Sequence, residues 1–287
     1  MSHSSRTEYH PLGVSLMLAG IACLVVNLLV VRTLGQKGID AWTLVSIRFI
    51  VGFAVACLLY RKQFKPVNLV TNPRLIARGV IGAITTVGFY QAIIYLGAGR
   101  ATFINNTYVV WAALFAVWFL GEKLKPRLML SCVATLIGLA LLTKVLSTGM
   151  KPGIYDGLAL LTAFGSASVA VLIRSLHNDE HTSTICASQC LYGMIICGIP
   201  AIWTGSGIPD GLWTALIGAS LLATAAQLFM TRAYRELPVG KGVIFLTLGP
   251  VGVTIGGVIL FQEKFGGSDI VGAVLIIAAT VWAAKQK

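Results

Sequence analysis

Of the 287 residues, 56% are hydrophobic and only 11% charged, and the mean hydropathy is +0.84. A soluble domain carries about 25% charged residues, so a water-soluble fold is excluded. The net charge of +12 is scattered between apolar runs and gathers on no single face, which excludes a nucleic-acid binder.

Along the chain, a polar stretch at 1–11 leads into an apolar run that lacks a small-residue cleavage site and continues as a full span. It reads as an uncleaved first helix rather than a signal peptide. A bilayer core of about 30 Å needs about 20 apolar residues per helix. On that measure the sequence predicts ten short helices near 12–31, 42–59, 75–96, 101–120, 128–146, 153–173, 183–203, 211–231, 239–261 and 270–284. The expected fold class is an all-α polytopic membrane protein. No alternating barrel-strand pattern is present.

Loop charge sets the expected orientation. With the N-terminus cytoplasmic, 15 of the 22 Lys and Arg fall on the inner side, including Arg61, Lys62, Lys65, Arg74 and Arg78 after the second helix. Six fall outside, and Arg48 lies within a helix. Both termini are therefore expected inside. Trp42, Trp203 and Trp213 fall near outer helix ends and Trp118 and Trp282 near inner ends, as interfacial belts; only Trp111 is mid-helix. The six cysteines sit inside apolar runs without a C-x-x-C, as small packing residues. Cys186, Cys190 and Cys197 share a helical face, but no His or carboxylate stands beside them to complete a metal site.

The chain repeats itself. At an offset of 141, Gly52 matches Gly193, Ala92 matches Ala233, Gly99-Arg100 matches Gly240-Lys241 and Glu122-Lys123 matches Glu263-Lys264. At 142, Arg32-Thr33-Leu34 aligns with Arg174-Ser175-Leu176. The halves are then 1–147 and 152–287, joined through the Ser147–Pro152 loop. Five helices per half is an odd number, so two halves in series lie in opposite senses in the membrane. Such a 5+5 inverted repeat is the arrangement of a carrier that rocks around a midplane site.

Several motifs resemble the drug/metabolite transporter superfamily, in its ten-helix branch with two EamA domains. They are Ser46-Ile47-Arg48-Phe49, Tyr90-Gln91-Ala92 through Gly99-Arg100-Ala101, Phe119-Leu120-Gly121-Glu122-Lys123, Gly138, Leu248-Gly249-Pro250 and Gln262-Glu263-Lys264. The overall look is similar to bacterial aromatic amino acid and metabolite exporters. Departures are Val109 in place of a mate for Pro250, Ser131 in place of a mate for Gly272, Ala22-Cys23-Leu24 where many members carry Trp-Gly, and Gln189 as the mate of Arg48.

Candidate binding residues follow from polar and aromatic groups inside the helices, which are costly in lipid unless they face protein or a cavity. Arg48 reads either as an anion partner or as an internal tie to backbone carbonyls. Asn105, Tyr108, Trp111, Phe115 and Trp118 form one stripe on the fourth helix, either ordinary packing or an aromatic cavity wall. Tyr90, Gln91 and Asn27 could complete the lining, with Phe245 facing them. Gly249-Pro250 would soften the ninth helix for gating, although small residues equally serve close packing. Glu122 and Glu263 read as solvated helix-end charges, and His3, His10, His177 and His181 fall in tails or loops. No Ser-His-Asp set, metal cluster or phosphate loop appears within the helices, so no catalytic residue, metal or cofactor is expected and a self-contained ATP-driven pump is excluded.

The expected function is secondary export of small metabolites, with amino acids and aromatic ones foremost, across a bacterial inner membrane. The expected partners are that small-molecule substrate and the lipid bilayer. Alternatives are a membrane-embedded enzyme acting on lipids or isoprenoids, a structural subunit, or a carrier of nucleoside or sugar derivatives.

Overall fold

The computed structural model describes residues 11–59, 65–96, 98–122, 126–143, 153–204, 207–262 and 266–285. The described residues are all-helical. The first half contains α1 (Pro11–Gln36), α2 (Ala41–Leu59), the single turn α3 (Asn68–Thr71), α4 (Pro73–Leu96), α5 (Ala98–Asn106), α6 (Tyr108–Leu120) and α7 (Pro126–Leu142). The second contains α8 (Ile154–Leu176), α9 (Thr182–Thr204), α10 (Trp213–Glu236), α11 (Val239–Leu246), α12 (Leu248–Phe261) and α13 (Gly267–Lys285). Eight segments among the described residues are long and apolar enough to cross a bilayer, with α5–α6 and α11–α12 each counting as one. Two apolar helices are shorter, Pro126–Leu142 and Gly267–Ala283. The protein is a multi-pass membrane protein.

Its outer surface has the composition of a lipid-facing one. Ile84, Trp118, Phe119, Leu161, Ile202 and Trp203 are all more than half exposed, which only hydrocarbon tolerates on this scale.

The largest pairings between the halves have counterparts when the repeat offset exchanges them, while α6 against α11 has none of similar extent. α1 packs on α10 as α4 packs on α8, and α6 packs on α8 as α12 packs on α1. α4 against α9 matches α10 against α2, while α2–α9 and α7–α13 map onto themselves. Small residues seat these contacts. Along α1, Gly13, Gly20 and Asn27 recur every seven residues and face α10: a Cβ on Gly20 would stand 3.1 Å from the Ala226 carbonyl, and Asn27 Nδ2 donates to the Ala219 carbonyl at 2.7 Å. A seven-residue stripe is the seam of a shallow left-handed crossing.

The sequence predicts continuous helices over 101–120 and 239–261, and the structure breaks both. Helix α5 ends before Thr107 and α11 before Thr247. In each case the threonine hydroxyl donates to a carbonyl three residues back, Ile104 at 2.7 Å and Ile244 at 2.6 Å. Such side-chain bonds offer the backbone an alternative to the helical ladder. Pro250 is not the break: it occupies the first turn of α12, where its missing N–H removes no intrahelical bond. That explains how the first half makes the same interruption with Val109 in the proline's place.

Candidate functional site

The two ends of the bundle differ. One end carries the α1–α2 turn, where Leu34 and Ile39 pack with Leu216 beside Ile208 and Leu212. The opposite end carries α3 and the α8–α9 turn, joined where Asn68 Nδ2 donates to Glu180 Oε1 at 2.7 Å. Between them lies a cavity of about 1330 Å3. Its wall reaches Gly38, Asp40, Tyr95, Thr143 and Asp269, all at helix ends on the α1–α2 side, so it opens there. Asp40 accepts from Thr43 N at 3.0 Å and Asp269 accepts from Gly266 N at 2.8 Å, each at a helix start.

At the α8–α9 end the wall stops at Arg78, Thr231 and Tyr234. Nearer that end, Met17, Leu75, Leu176 and Val239 are fully buried in the main core. Bonds between helices, within the second half and across the halves, close it. Arg174 Nη1 donates to the Tyr234 carbonyl at 2.8 Å, and Tyr108 Oη to the Val243 carbonyl at 3.4 Å. Glu122 Oε1 accepts from Val239 N at 3.2 Å. Glu122 therefore serves the first turn of α11, where the sequence reads only a solvated charge; Glu263 lies outside the described residues. His177 Nε2 donates to the Thr231 carbonyl at 2.6 Å, and burial pushes its imidazole pKa down, so the ring stays neutral there.

Of the residues singled out from the sequence, Tyr90, Gln91, Asn105, Tyr108, Gly249 and Pro250 line the cavity. Asn105 Nδ2 also donates to Thr162 Oγ1 at 2.8 Å, which fixes its orientation. Three others lie off the wall. Asn27 is 1% exposed and spent on the α1–α10 contact. Trp111 turns from the cavity to stack on Phe164 of α8, ring centroids 4.2 Å apart. Phe245 is buried in the main core. On α6, the stripe at three- and four-residue spacing instead runs from the cavity at Tyr108 to the lipid surface at Trp118. Trp42, expected in an interfacial belt, lines the cavity near its mouth.

The largest correction is Arg78. Grouped by sequence with inner-loop charges, it lies inside α4 and is 2% exposed. Gly82, one turn on, makes the room: a Cβ there would collide with Arg78 Nη1 and press on Gln189. Arg78 Nε and Nη1, and the Nε of Arg48, which also lines the cavity, are buried with no hydrogen-bond partner. Beside them Gln189 Nε2 donates to the Gly82 carbonyl at 3.0 Å and to Thr86 Oγ1 at 3.1 Å, and Gln227 Nε2 donates to Gln189 Oε1 at 3.0 Å. The signal available in the sequence was Arg78's place within an apolar run, opposite Ala219 in the repeat register.

Known proteins share this plan. The description of the EamA-like transporter family matches residues 11–144 and again residues 153–284. Pseudopaline exporter CntI of Pseudomonas aeruginosa is 25% identical over 273 residues, covering 94% of this chain and 95% of that protein. Human solute carrier family 35 member G1 is 26% identical over 81% of this chain and 68% of its own length. An uncharacterised transporter of Helicobacter pylori is 28% identical over 64% of this chain. A solved crystal structure superposes with a TM-score of 0.78 at 18% identity, covering 94% of this chain and 96% of its own, a likeness of fold alone. With two matched segments that together span almost its whole length, the chain belongs to the EamA-like transporter family.

Proposed function

We propose that this chain exports small metabolites, amino acids foremost, from the bacterial cytoplasm by alternating access. The reading takes the bundle as ten transmembrane segments in a 5+5 inverted repeat, 1–147 and 152–287, with both termini cytoplasmic in the inner membrane. The observation that carries it is the cavity: it lies between two halves whose pairings are mutually symmetric, open at one end and closed at the other. An exchange of conformations between two such halves turns an outward-open state into its inward-open mirror image. With the termini inside, the state described here is the outward-open one. Tyr90, Gln91, Asn105 and Tyr108 then contact substrate, and the interruptions at Thr107 and Thr247 let the ends of their helices tilt. Gly249-Pro250, just past the second interruption, belongs to the gating segment. Asn27, Trp111 and Phe245 act on the site through helix packing.

Counterflow of labelled amino acids into liposomes containing the purified protein tests this. We expect saturable exchange with an aromatic amino acid, and a KM raised roughly fivefold in Tyr90→Ala, about 1 kcal/mol of lost ring contact. Absence of counterflow with every amino acid would reject the proposed substrate, and an unchanged KM in a well-folded Tyr90→Ala would remove Tyr90 from the site.

A further inference from the structure

We infer that Arg48 and Arg78 form a built oxyanion site at the base of the cavity, and that the molecule it takes carries two anionic groups, carboxylate or phosphate. The inference rests on the cavity being the substrate path. A guanidinium ion removed from water loses hydration, and the loss is recovered only through partners that satisfy its donors. Arg78 is 2% exposed, yet its Nε and Nη1 donate to nothing, and the buried Nε of Arg48 is equally unspent. The ion pairs described elsewhere in the protein, Arg74–Asp179, Arg100–Asp156 and Arg232–Glu236, engage neither of them. The two acidic residues on the cavity wall, Asp40 and Asp269, are committed to helix starts at the mouth.

The nearby positive charge of Arg48 adds to the cost of burying Arg78. Space has been kept for this arrangement, since Gly82 gives up a side chain to seat Arg78. The neighbouring amides do not neutralise the charge. Gln189 spends its donors on Gly82 and Thr86, and its carbonyl on Gln227. A planar guanidinium with free edge donors matches the paired oxygens of a carboxylate or phosphate. Two such groups at separate positions, one on α2 and one on α4, match a ligand with two anionic ends. A neutral amino acid fills one of the two positions, and one with an acidic side chain fills both.

Thermal unfolding of the full chain in detergent, at constant ionic strength, tests the site independently of transport. Glutarate and citrate are the carboxylate probes, glycerol 3-phosphate and inorganic phosphate the phosphate probes, and glutaramide the uncharged control. We expect at least one dianion to raise the midpoint where glutaramide does not; which set does so names the group. Arg48→Gln and Arg78→Met should each abolish that shift. In the ligand-free protein Arg78→Met should itself raise the midpoint, by about 2–4 °C, because it removes an unpaired buried charge. A structural arginine would lower it. No shift from any dianion, a shift kept in Arg78→Met, or a ligand-free Arg78→Met less stable than the parent each overturns the inference. Dianion binding without flux in liposomes would instead reject the transport reading and leave the site standing. Amino acid counterflow that is unaltered in Arg48→Gln and Arg78→Met would do the reverse.

Discussion

Replacing Gly272 by alanine should destabilise the protein, although alanine is the better helix former. The cause is the crossing of α7 and α13, where two glycines face each other backbone to backbone. A Cβ on Gly272 would stand 2.5 Å from the Gly138 carbonyl oxygen and 2.7 Å from the Leu142 amide nitrogen. A Cβ on Gly138 would stand 2.8 Å from the Gly272 oxygen. Ordinary contact begins near 3.4 Å, so the helices must separate by more than half an ångström, and backbone atoms have no rotamer by which to yield. Overpacking of this kind costs about 1–3 kcal/mol, against a propensity gain of about 1 kcal/mol for Gly to Ala. The net expectation is a loss of up to about 2 kcal/mol. Gly218 in α10 is the control, since a Cβ there meets nothing within 4 Å. Gly218→Ala should therefore keep the propensity gain and match or exceed the parent. Unfolding midpoints of both variants, measured by tryptophan fluorescence in one detergent, decide the matter. A Gly272→Ala protein as stable as Gly218→Ala would refute the close crossing.

Two further expectations concern the membrane. In a background without native cysteines, a cysteine replacing Lys151, which lies outside the described residues, should react with an impermeant thiol reagent from outside the cell while one replacing Lys285 should not; labelling of both from one side would end the inverted-repeat reading. Substrate movement in liposomes should proceed without a pH gradient, and uphill accumulation driven by a pH gradient alone and abolished in Asp156→Asn would show proton coupling after all.

Much of this architecture was readable because lipid imposes one rule on every segment. A helix that must bury its own backbone bonds in hydrocarbon announces itself by a run of apolar residues, so α1, α2 and α8–α10 fall within a few residues of their expected bounds. The same rule hides what happens inside a run. Thr107 and Thr247 interrupt helices without lowering the hydropathy around them, and only the shared Ile-x-x-Thr spacing, Ile104 to Thr107 and Ile244 to Thr247, marked the place. Facing is hidden for a related reason. When both the lipid side and the protein side of a helix are apolar, periodicity does not say which side holds the cavity. Trp111 and Tyr108 are three residues apart and share a stripe in the sequence; in the structure one stacks on α8 and the other lines the cavity. Arg78 was obscured by its nearness to Arg74, a solvent-side arginine paired with Asp179, which made both look like one loop cluster.

The placement of the described acidic residues and the presence of the two arginines bear on the same question, what drives transport. Proton-coupled carriers need an acid that titrates within the membrane, and among the described residues every Asp and Glu stands at a helix end or in a turn. Asp156, a paired residue in the first turn of α8, accepts from Arg100 Nε at 2.7 Å and from Gly153 N at 2.7 Å. Such a carboxylate is held by two donors in this state and is not exposed to the cavity floor where substrate would meet it. The cavity instead carries the positive charges of Arg48 and Arg78. An empty carrier with that floor is cationic at its centre, and a substrate with two anionic groups brings it close to neutrality. If the carrier returns empty, each cycle exports the substrate's net negative charge, which an inside-negative potential favours by about 2.3 kcal/mol per charge per 100 mV. That is an outside excess of about 50-fold for each net charge, enough to expel a metabolite with no ion gradient spent on it. On the proposal made above, an exporter of anions has a driving force already supplied by the membrane and needs no mid-helix carboxylate, and none stands among the described residues.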